Sequence, residues 1–281
     1  MIHQLNAFFN RVLPASLKRP MRHLAFLWLD LYGKFKGDAR QSLPTWMPLV
    51  GSGDFTAVGE EYFGYFVELG RLQPTEHVLD IGCGLGRMAF PLTRYLDRDR
   101  GRYLGFDIEQ KAVQWCQRYI SKPHPQFAFE CLDISNSNYV GGKKQSQSVR
   151  FPCASDSFDF VIATSLFTHM LPEGVRRYFA EIGRVLRFGG RGLLTFFLLN
   201  PEAERLIATG QSQFAFTHAY GNCRVVNPRL PESAIAYPEA EIQAWLHESG
   251  LRLQAPIHYG AWCGRTANYL DGQDILIIQK A

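Results

Sequence analysis

The chain has 281 residues, 46% of them hydrophobic and 20% charged, which is typical of a globular protein with a substantial core. Its formal net charge is only +4 and its basic residues are dispersed, which argues against nucleic acid as a partner. No apolar run reaches the ~20 residues that cross a bilayer and no signal-peptide pattern is present, so we expect a cytoplasmic protein without a transmembrane segment.

The first 70 residues are predicted to form a helical extension. The amphipathic stretch MRHLAFLWLDLYGK, from Met21, is interpreted as a helix that covers the core, with peripheral membrane contact as the alternative. Tyr62, Phe66 and Leu69 then follow at helical spacing before Gly70, which predicts a second helix. We expect this second helix to close over a ligand site as a lid.

From His77 onward, short apolar runs alternate with helical patterns. The candidate strands are HVLDI, YLGFD, FAFECLD, FDFVIATS and RGLLTFFLL, with helices predicted at about 87–96, 109–120 and 173–186. Apolar strands without clean alternation are typical of a parallel sheet covered on both faces. Residues 71–281 are therefore predicted to form one doubly wound α/β domain. GGKKQSQS, at 141–148, is predicted to be a polar loop, and a helix at about 238–249 precedes two last strands at about 251–259 and 273–279.

The stretch HVLDIGCGLGRMAF places Gly82, Gly84 and Gly86 at alternate positions directly after a predicted strand. Three glycines so close together indicate a tight turn and room for a ligand against bare backbone. Dinucleotide-binding enzymes prefer G-x-G-x-x-G, so the observed spacing disfavours NAD. Asp107 ends the next strand, where a carboxylate can bind both hydroxyls of a ribose. Asp133 ends the third strand, where it is either an adenine ligand or a loop cap.

Four stretches in this order, VLDIGCGLGRMA, YLGFDI, CLDI and FDFVIATSLFTHMLPEGVRRYFAEIGRVLRFGGRGLLTFFLLN, resemble the successive motifs of the class I S-adenosylmethionine-dependent methyltransferases. The resemblance covers about His77 to Asn200. It implies a Rossmann-like seven-stranded sheet, mostly parallel with an antiparallel last strand, and S-adenosylmethionine as the cofactor with S-adenosylhomocysteine as its product. It implies cofactor contacts at Asp80, Gly82, Cys83, Gly84, Gly86, Asp107, Ile108, Asp133, Ile134 and Ser165.

The fourth predicted strand leads into ATSLFTHM and lacks the N-P-P-Y type tetrad of relatives that methylate nucleobases or amides. Two histidines are candidate general bases for a hydroxyl acceptor, His169 and His258, and each has a packing role as the alternative. His258 is slightly favoured, because neighbouring Tyr259 and Trp262 suggest a pocket.

The acceptor side is assigned to two loops, 200–237 and 256–272. Their imidazole, aromatic and guanidinium groups suit a small-molecule or glycan-like acceptor, methylated on oxygen. These groups are His218, Tyr220, Arg224, His258, Tyr259, Trp262 and Arg265.

A non-catalytic S-adenosylmethionine-binding protein and a nicotinamide-dependent oxidoreductase remain the alternative functions. The six cysteines are far apart and never occur as Cys-x-x-Cys, so no metal site or disulfide framework is predicted, and the oligomeric state stays open.

Overall fold

The computed structural model describes residues 55–135, 144–145 and 149–281. Its strands are β1 (His77–Ile81), β2 (Arg102–Asp107), β3 (Phe127–Cys131), β4 (Ile134–Ser135), β5 (Lys144–Gln145), β6 (Phe158–Ala163), β7 (Leu186–Phe196), β8 (Leu198–Leu199), β9 (His218–Tyr220), β10 (Cys223–Val225), β11 (Ile235–Pro238), β12 (Leu251–His258) and β13 (Asp274–Lys280). Its α-helices are α1 (Phe55–Glu68), α2 (Ala89–Leu92), α3 (Gln110–Cys116), α4 (Pro172–Val185), α5 (Pro201–Ala208) and α6 (Glu239–Glu248).

Seven of the described strands form one sheet in the order β12-β13-β7-β6-β1-β2-β3. The strands β3, β2, β1, β6 and β7 are parallel, whereas β13 is antiparallel to both β7 and β12. The predicted doubly wound sheet with an antiparallel last strand is therefore confirmed. Chain order reverses at β1, which lies between β2 and β6, and open α/β sheets bind ligands at such a switch point, beyond the carboxyl ends of the strands.

Two apolar clusters lie on opposite faces of this sheet. Phe160 and Ile162 of β6 belong to one cluster, and Val161 and Ala163 belong to the other. Because successive side chains of a strand point to opposite faces, the two clusters are separated by the sheet. Helix α1 packs on the first face, where the ring of Phe66 lies 6.0 Å from that of Phe160.

The helix predicted at 87–96 is much shorter in the structure, since α2 spans only Ala89–Leu92. Pro91 explains part of the difference, because proline has no N–H to donate to the carbonyl of Arg87 four residues earlier.

A smaller sheet, β8-β11-β10-β9, follows in the second half of the chain, and β4 pairs with β5. In the described ranges, no helix is long and apolar enough to cross a membrane.

Two predicted features lie outside the described residues. The amphipathic stretch from Met21 is one of them, and most of the polar loop at 141–148 is the other. Helix α1, which was predicted as part of the N-terminal extension, is described and is in direct contact with the residues after β1. A Cβ atom added at Gly59 would lie 2.7 Å from the carbonyl oxygen of Arg87.

Candidate functional site

The glycine loop after β1 has a backbone that side chains would not permit. Gly82, Gly84 and Gly86 have φ angles of 78°, 51° and 72°, in the left-handed region that favours glycine. A Cβ at Gly86 would lie 2.5 Å from the Cδ1 atom of Ile120, whereas one at Gly84 would meet no atom within 4 Å. Gly86 therefore permits close packing on the core, and Gly84 borders open space in which a ligand can approach the backbone.

Asp107, at the carboxyl end of β2, is bonded to this loop. Its Oδ2 atom accepts the Gly84 N–H at 2.8 Å, and its Oδ1 atom accepts the Glu109 N–H at 2.9 Å. Burial raises the pKa of the Asp107 carboxyl, and hydrogen bonds from the backbone N–H groups of Glu109 and Gly84 act in the opposite direction. A carboxylate has about four lone-pair sites, so with the N–H groups of Glu109, Gly84 and Ile108 around it Asp107 can still accept a hydrogen bond from a ligand hydroxyl.

Asp80 and Cys83 lie beneath the loop rather than on its open side. Asp80 is 1% exposed and accepts a hydrogen bond from the Tyr103 hydroxyl. The pKa of Asp80 is raised to about 7, because burial and, to a smaller extent, the nearby carboxylate of Asp107 outweigh the opposing hydrogen bond from Tyr103. Burial also raises the pKa of the Cys83 thiol, which makes it a poor nucleophile. Both side chains support the loop from the core.

Tyr103→Phe is expected to destabilise the folded protein by about 1–3 kcal/mol, because the buried Asp80 carboxyl loses its hydrogen-bond donor. Since the folded-state pKa of Asp80, about 7, is above that of an exposed aspartate, the folded protein retains a proton that the unfolded chain releases. Wild-type stability therefore falls as the pH rises from ~4 to ~7 through this group. The loss in the variant is expected to be larger at about pH 8, where Asp80 is ionised, than at about pH 5.

Urea unfolding of both proteins at the two pH values measures this difference. Tyr119→Phe is the matched control, because the Tyr119 side chain is 44% exposed and its loss is expected to change little. If Tyr103→Phe lost the same stability at both pH values, the Tyr103 hydroxyl would not be stabilising the ionised form of Asp80, and the prediction would be wrong.

The predicted adenine contacts lie at the same edge of the sheet. Ile108 follows Asp107 and is half-buried against the core, and Asp133 is exposed just after β3. The backbone of Ile134 forms part of β4, and its side chain is outside the described residues. Their contact with an adenine ring stays a prediction.

Ser165, beyond the end of β6, is held by two residues that were not predicted from the sequence. Its φ angle is 53°, which is uncommon for a residue other than glycine. Its N–H donates to the Thr195 hydroxyl at 2.8 Å, and its Oγ atom accepts from the Gln273 amide at 3.1 Å. Thr195 is the single polar residue within the apolar run GLLTFFLL, at 192–199, and this is the sequence signal for it.

His169 ends a 3₁₀ turn, Phe167–His169, that follows β6, the strand next to β1. Its Nδ1 atom lies 3.1 Å from the backbone carbonyl oxygen of Glu232. A carbonyl oxygen can only accept, so Nδ1 carries the proton in this bond and Nε2 of the neutral ring carries the lone pair.

His258 ends β12 at the edge of the sheet, four strand spacings from β1, or about 19 Å. Burial lowers its pKa. The neighbours that suggested a pocket make internal contacts instead: Tyr259 donates to Glu239 at 3.0 Å, and Trp262 is 1% exposed and donates to Asp274 at 2.7 Å. The aromatic residues beside His258, which favoured it over His169 as the base, are therefore explained by packing.

The other acceptor-side residues are divided between the surface and the interior. The Arg265 guanidinium is buried, donates to Glu202 at 2.9 Å, and lies 4.7 Å from the centre of the Tyr259 ring. Arg224 pairs with Glu204 at 3.2 Å, and His218 is exposed on β9. In the described part of the chain, no cluster of His, Cys, Asp or Glu has the arrangement of a metal site.

Helix α1 connects the glycine loop with the segment before β13. The Tyr62 hydroxyl donates to Asp271, and the Tyr65 hydroxyl, which donates to Glu61 at 2.8 Å, lies 3.3 Å from the Leu270 carbonyl oxygen. The Arg87 guanidinium, just after the glycine loop, lies 5.5 Å from the centre of the Phe55 ring. The closure of α1 over a bound ligand stays a prediction.

Residues 78–190 match the family model described as a methyltransferase domain. A probable fatty acid methyltransferase of Mycobacterium tuberculosis is 22% identical over 201 residues, which are 72% of this chain and 42% of that protein. Phosphoethanolamine N-methyltransferase 3 of Arabidopsis thaliana is 23% identical over 154 residues, which are 54% of this chain and 27% of that protein. The matched regions thus cover less than half the length of these relatives.

Solved structures with the same fold include a Pyrococcus horikoshii OT3 protein, with a TM-score of 0.56, 15% identity and coverage of 89% of this chain and 98% of that chain. The magnesium protoporphyrin IX methyltransferase of Synechocystis PCC 6803, solved with bound S-adenosylhomocysteine, has a TM-score of 0.50 and 17% identity. The match covers 90% of this chain and 97% of that enzyme. At these identities the likeness is one of fold.

Proposed function

Because the chain contains a class I S-adenosylmethionine-dependent methyltransferase domain, we propose that it transfers a methyl group to an oxygen of a small-molecule or glycan-like acceptor. The observation that carries the proposal is the Asp107 carboxylate, bonded to the Gly84 N–H beside open space. In this arrangement Asp107 binds the ribose hydroxyls of the cofactor. Asp133, Ile108 and Ile134 then lie on the adenine side, because β3 is next to β2 in the sheet.

S-adenosylmethionine supplies a methyl group activated by the positive sulfonium. The acceptor oxygen forms a bond to the methyl carbon as the carbon–sulfur bond breaks. The electron pair of the broken carbon–sulfur bond stays on sulfur, which gives S-adenosylhomocysteine. The chain's contribution to such an in-line displacement is mainly proximity and alignment. A hydroxyl acceptor also releases a proton, which a base near neutral pKa removes.

His169 is the general base in this proposal. Its Nδ1 contact with the Glu232 carbonyl oxygen, at 3.1 Å, holds the imidazole ring in one orientation after β6. Its position after β6, the strand next to β1, also favours it over His258 on the edge strand. His258 is the alternative base.

Calorimetry with the purified chain tests the cofactor. We expect S-adenosylhomocysteine to bind and NAD to bind more weakly, because the alternate glycines and the strand-end acids suit a nucleoside without a pyrophosphate. Tighter binding of NAD would favour the oxidoreductase alternative and refute the proposal.

Transfer of label from methyl-tritiated S-adenosylmethionine into acceptor pools tests the acceptor. The pools should contain sugar alcohols and glycans, and also fatty acyl lipids and phosphoethanolamine, since two relatives carry those names. We expect label in an O-methyl product. Label in an N-methyl product would overturn the assignment to oxygen, and cofactor binding without label in any pool would favour the non-catalytic alternative.

A further inference from the structure

Ser165, Thr195 and Gln273 form a closed ring of hydrogen bonds at the carboxyl edge of the sheet. The Ser165 N–H donates to Thr195 Oγ1 at 2.8 Å, and the Thr195 hydroxyl donates to Gln273 Oε1 at 2.6 Å. The ring closes where Gln273 Nε2 donates to Ser165 Oγ at 3.1 Å. Thr195 is fully buried, so the backbone of Ser165 is tied to the interior of the sheet.

This ring determines the hydrogen-bonding role of the Ser165 hydroxyl. Thr195 donates to the Gln273 oxygen, so the amide of Gln273 must present its NH₂ group to Ser165. Ser165 Oγ is therefore an acceptor within the ring. Its own proton is left to donate outward, to a group that accepts hydrogen bonds.

The turn that carries Ser165 also touches the glycine loop. A Cβ added at Gly82 would lie 3.2 Å from the Cδ1 atom of Leu166, the residue after Ser165. Since Ser165 has a left-handed φ of 53°, the ring of hydrogen bonds holds this turn in a conformation that it would seldom adopt alone.

The order of the strands indicates which part of a ligand reaches Ser165. Strands β2, β1 and β6 are neighbours, with Asp107 at the end of the first, the glycine loop at the second and Ser165 after the third. A nucleoside whose ribose binds Asp107 extends past the glycine loop with its other end near Ser165. In S-adenosylmethionine that end is an amino acid, and its carboxylate is an acceptor for a hydroxyl proton.

We propose that Thr195 and Gln273 are positioning residues, which orient Ser165 so that its hydroxyl donates to the carboxylate of the cofactor's methionine end. This inference rests on the proposed function. It assigns a role in cofactor affinity to two residues that do not themselves touch the cofactor. It also predicts that their effect depends on the amino-acid end of the ligand.

Calorimetry with two probes tests the inference, S-adenosylhomocysteine and 5′-methylthioadenosine, which lacks the amino-acid end. Thr195→Val keeps the shape of the side chain but removes the hydroxyl. We expect it to weaken binding of S-adenosylhomocysteine by about 10-fold or more, the effect of a lost hydrogen bond to a charged group, and to leave 5′-methylthioadenosine unchanged. Thr195→Ser, which restores the hydroxyl, is expected to bind both probes as the wild type does.

Gln273→Glu provides a second variant at a half-buried position, in case Thr195→Val does not fold. The carboxylate of Glu cannot donate to Ser165 and draws its hydroxyl proton inward, so the same selective loss is expected. Equal loss for both probes, or no loss for either, in the folded variants would overturn the inference. A wild-type chain that binds neither probe would instead refute the proposed function.

Discussion

Asp107→Ala is expected to raise the dissociation constant of S-adenosylhomocysteine by about 10- to 150-fold, which corresponds to the loss of hydrogen bonds to a charged group worth ~1.5–3 kcal/mol. The expectation follows from the position of the carboxylate, which accepts the Gly84 N–H and can still accept a hydrogen bond from the ribose. Calorimetry measures the change. Binding of 5′-methylthioadenosine is expected to weaken equally, because both ligands contain the ribose.

Asp99→Ala is the matched control for this variant. Asp99 is an exposed aspartate before β2, at the opposite edge of the sheet, and its removal is expected to leave both dissociation constants unchanged. Thermal unfolding of each variant separates loss of binding from loss of structure. A folded Asp107→Ala protein with wild-type affinity would show that the ribose binds elsewhere.

His169→Ala is expected to lower kcat by about 10²–10⁴ while the dissociation constant of S-adenosylhomocysteine stays near the wild-type value. The reason is that the proposed base acts on the acceptor proton and not on the cofactor. The measurement is the initial rate of methyl transfer to the acceptor that the labelling experiment identifies. Added imidazole is expected to restore part of the rate, because it can replace the missing proton acceptor.

His258→Ala is the matched comparison, since it removes the other candidate base. Its position on the edge strand, about 19 Å from β1, leads us to expect a rate within a few-fold of the wild type. A large loss with His258→Ala and a small one with His169→Ala would reverse the assignment. Near-wild-type rates for both variants would leave proximity as the main source of catalysis.

Much of the fold was predictable from the sequence because its signals are local. A strand such as HVLDI is recognised from its own apolar residues, and the glycines after it indicate a tight turn wherever the chain is placed. The antiparallel last strand was a different case, because it came from the resemblance to a family and not from the pattern of the strand itself. The sequence analysis predicted a longer helix than α2, although Pro91 within this segment disfavours a long helix because it lacks a backbone N–H.

The sequence by itself determined the doubly wound sheet, the glycine loop and the acid at the end of β2, since each depends on residues that are neighbours in the chain. Only the tertiary structure decided which polar side chains meet. Gln273 lies 108 residues from Ser165 and Glu232 lies 63 residues from His169, so no local pattern connects them. The same holds for Trp262, whose aromatic ring suggested a pocket but packs in the core beside Asp274. Contacts between distant residues depend on which strands are neighbours in the sheet. That spatial order is a property of the whole sheet and not of any one segment.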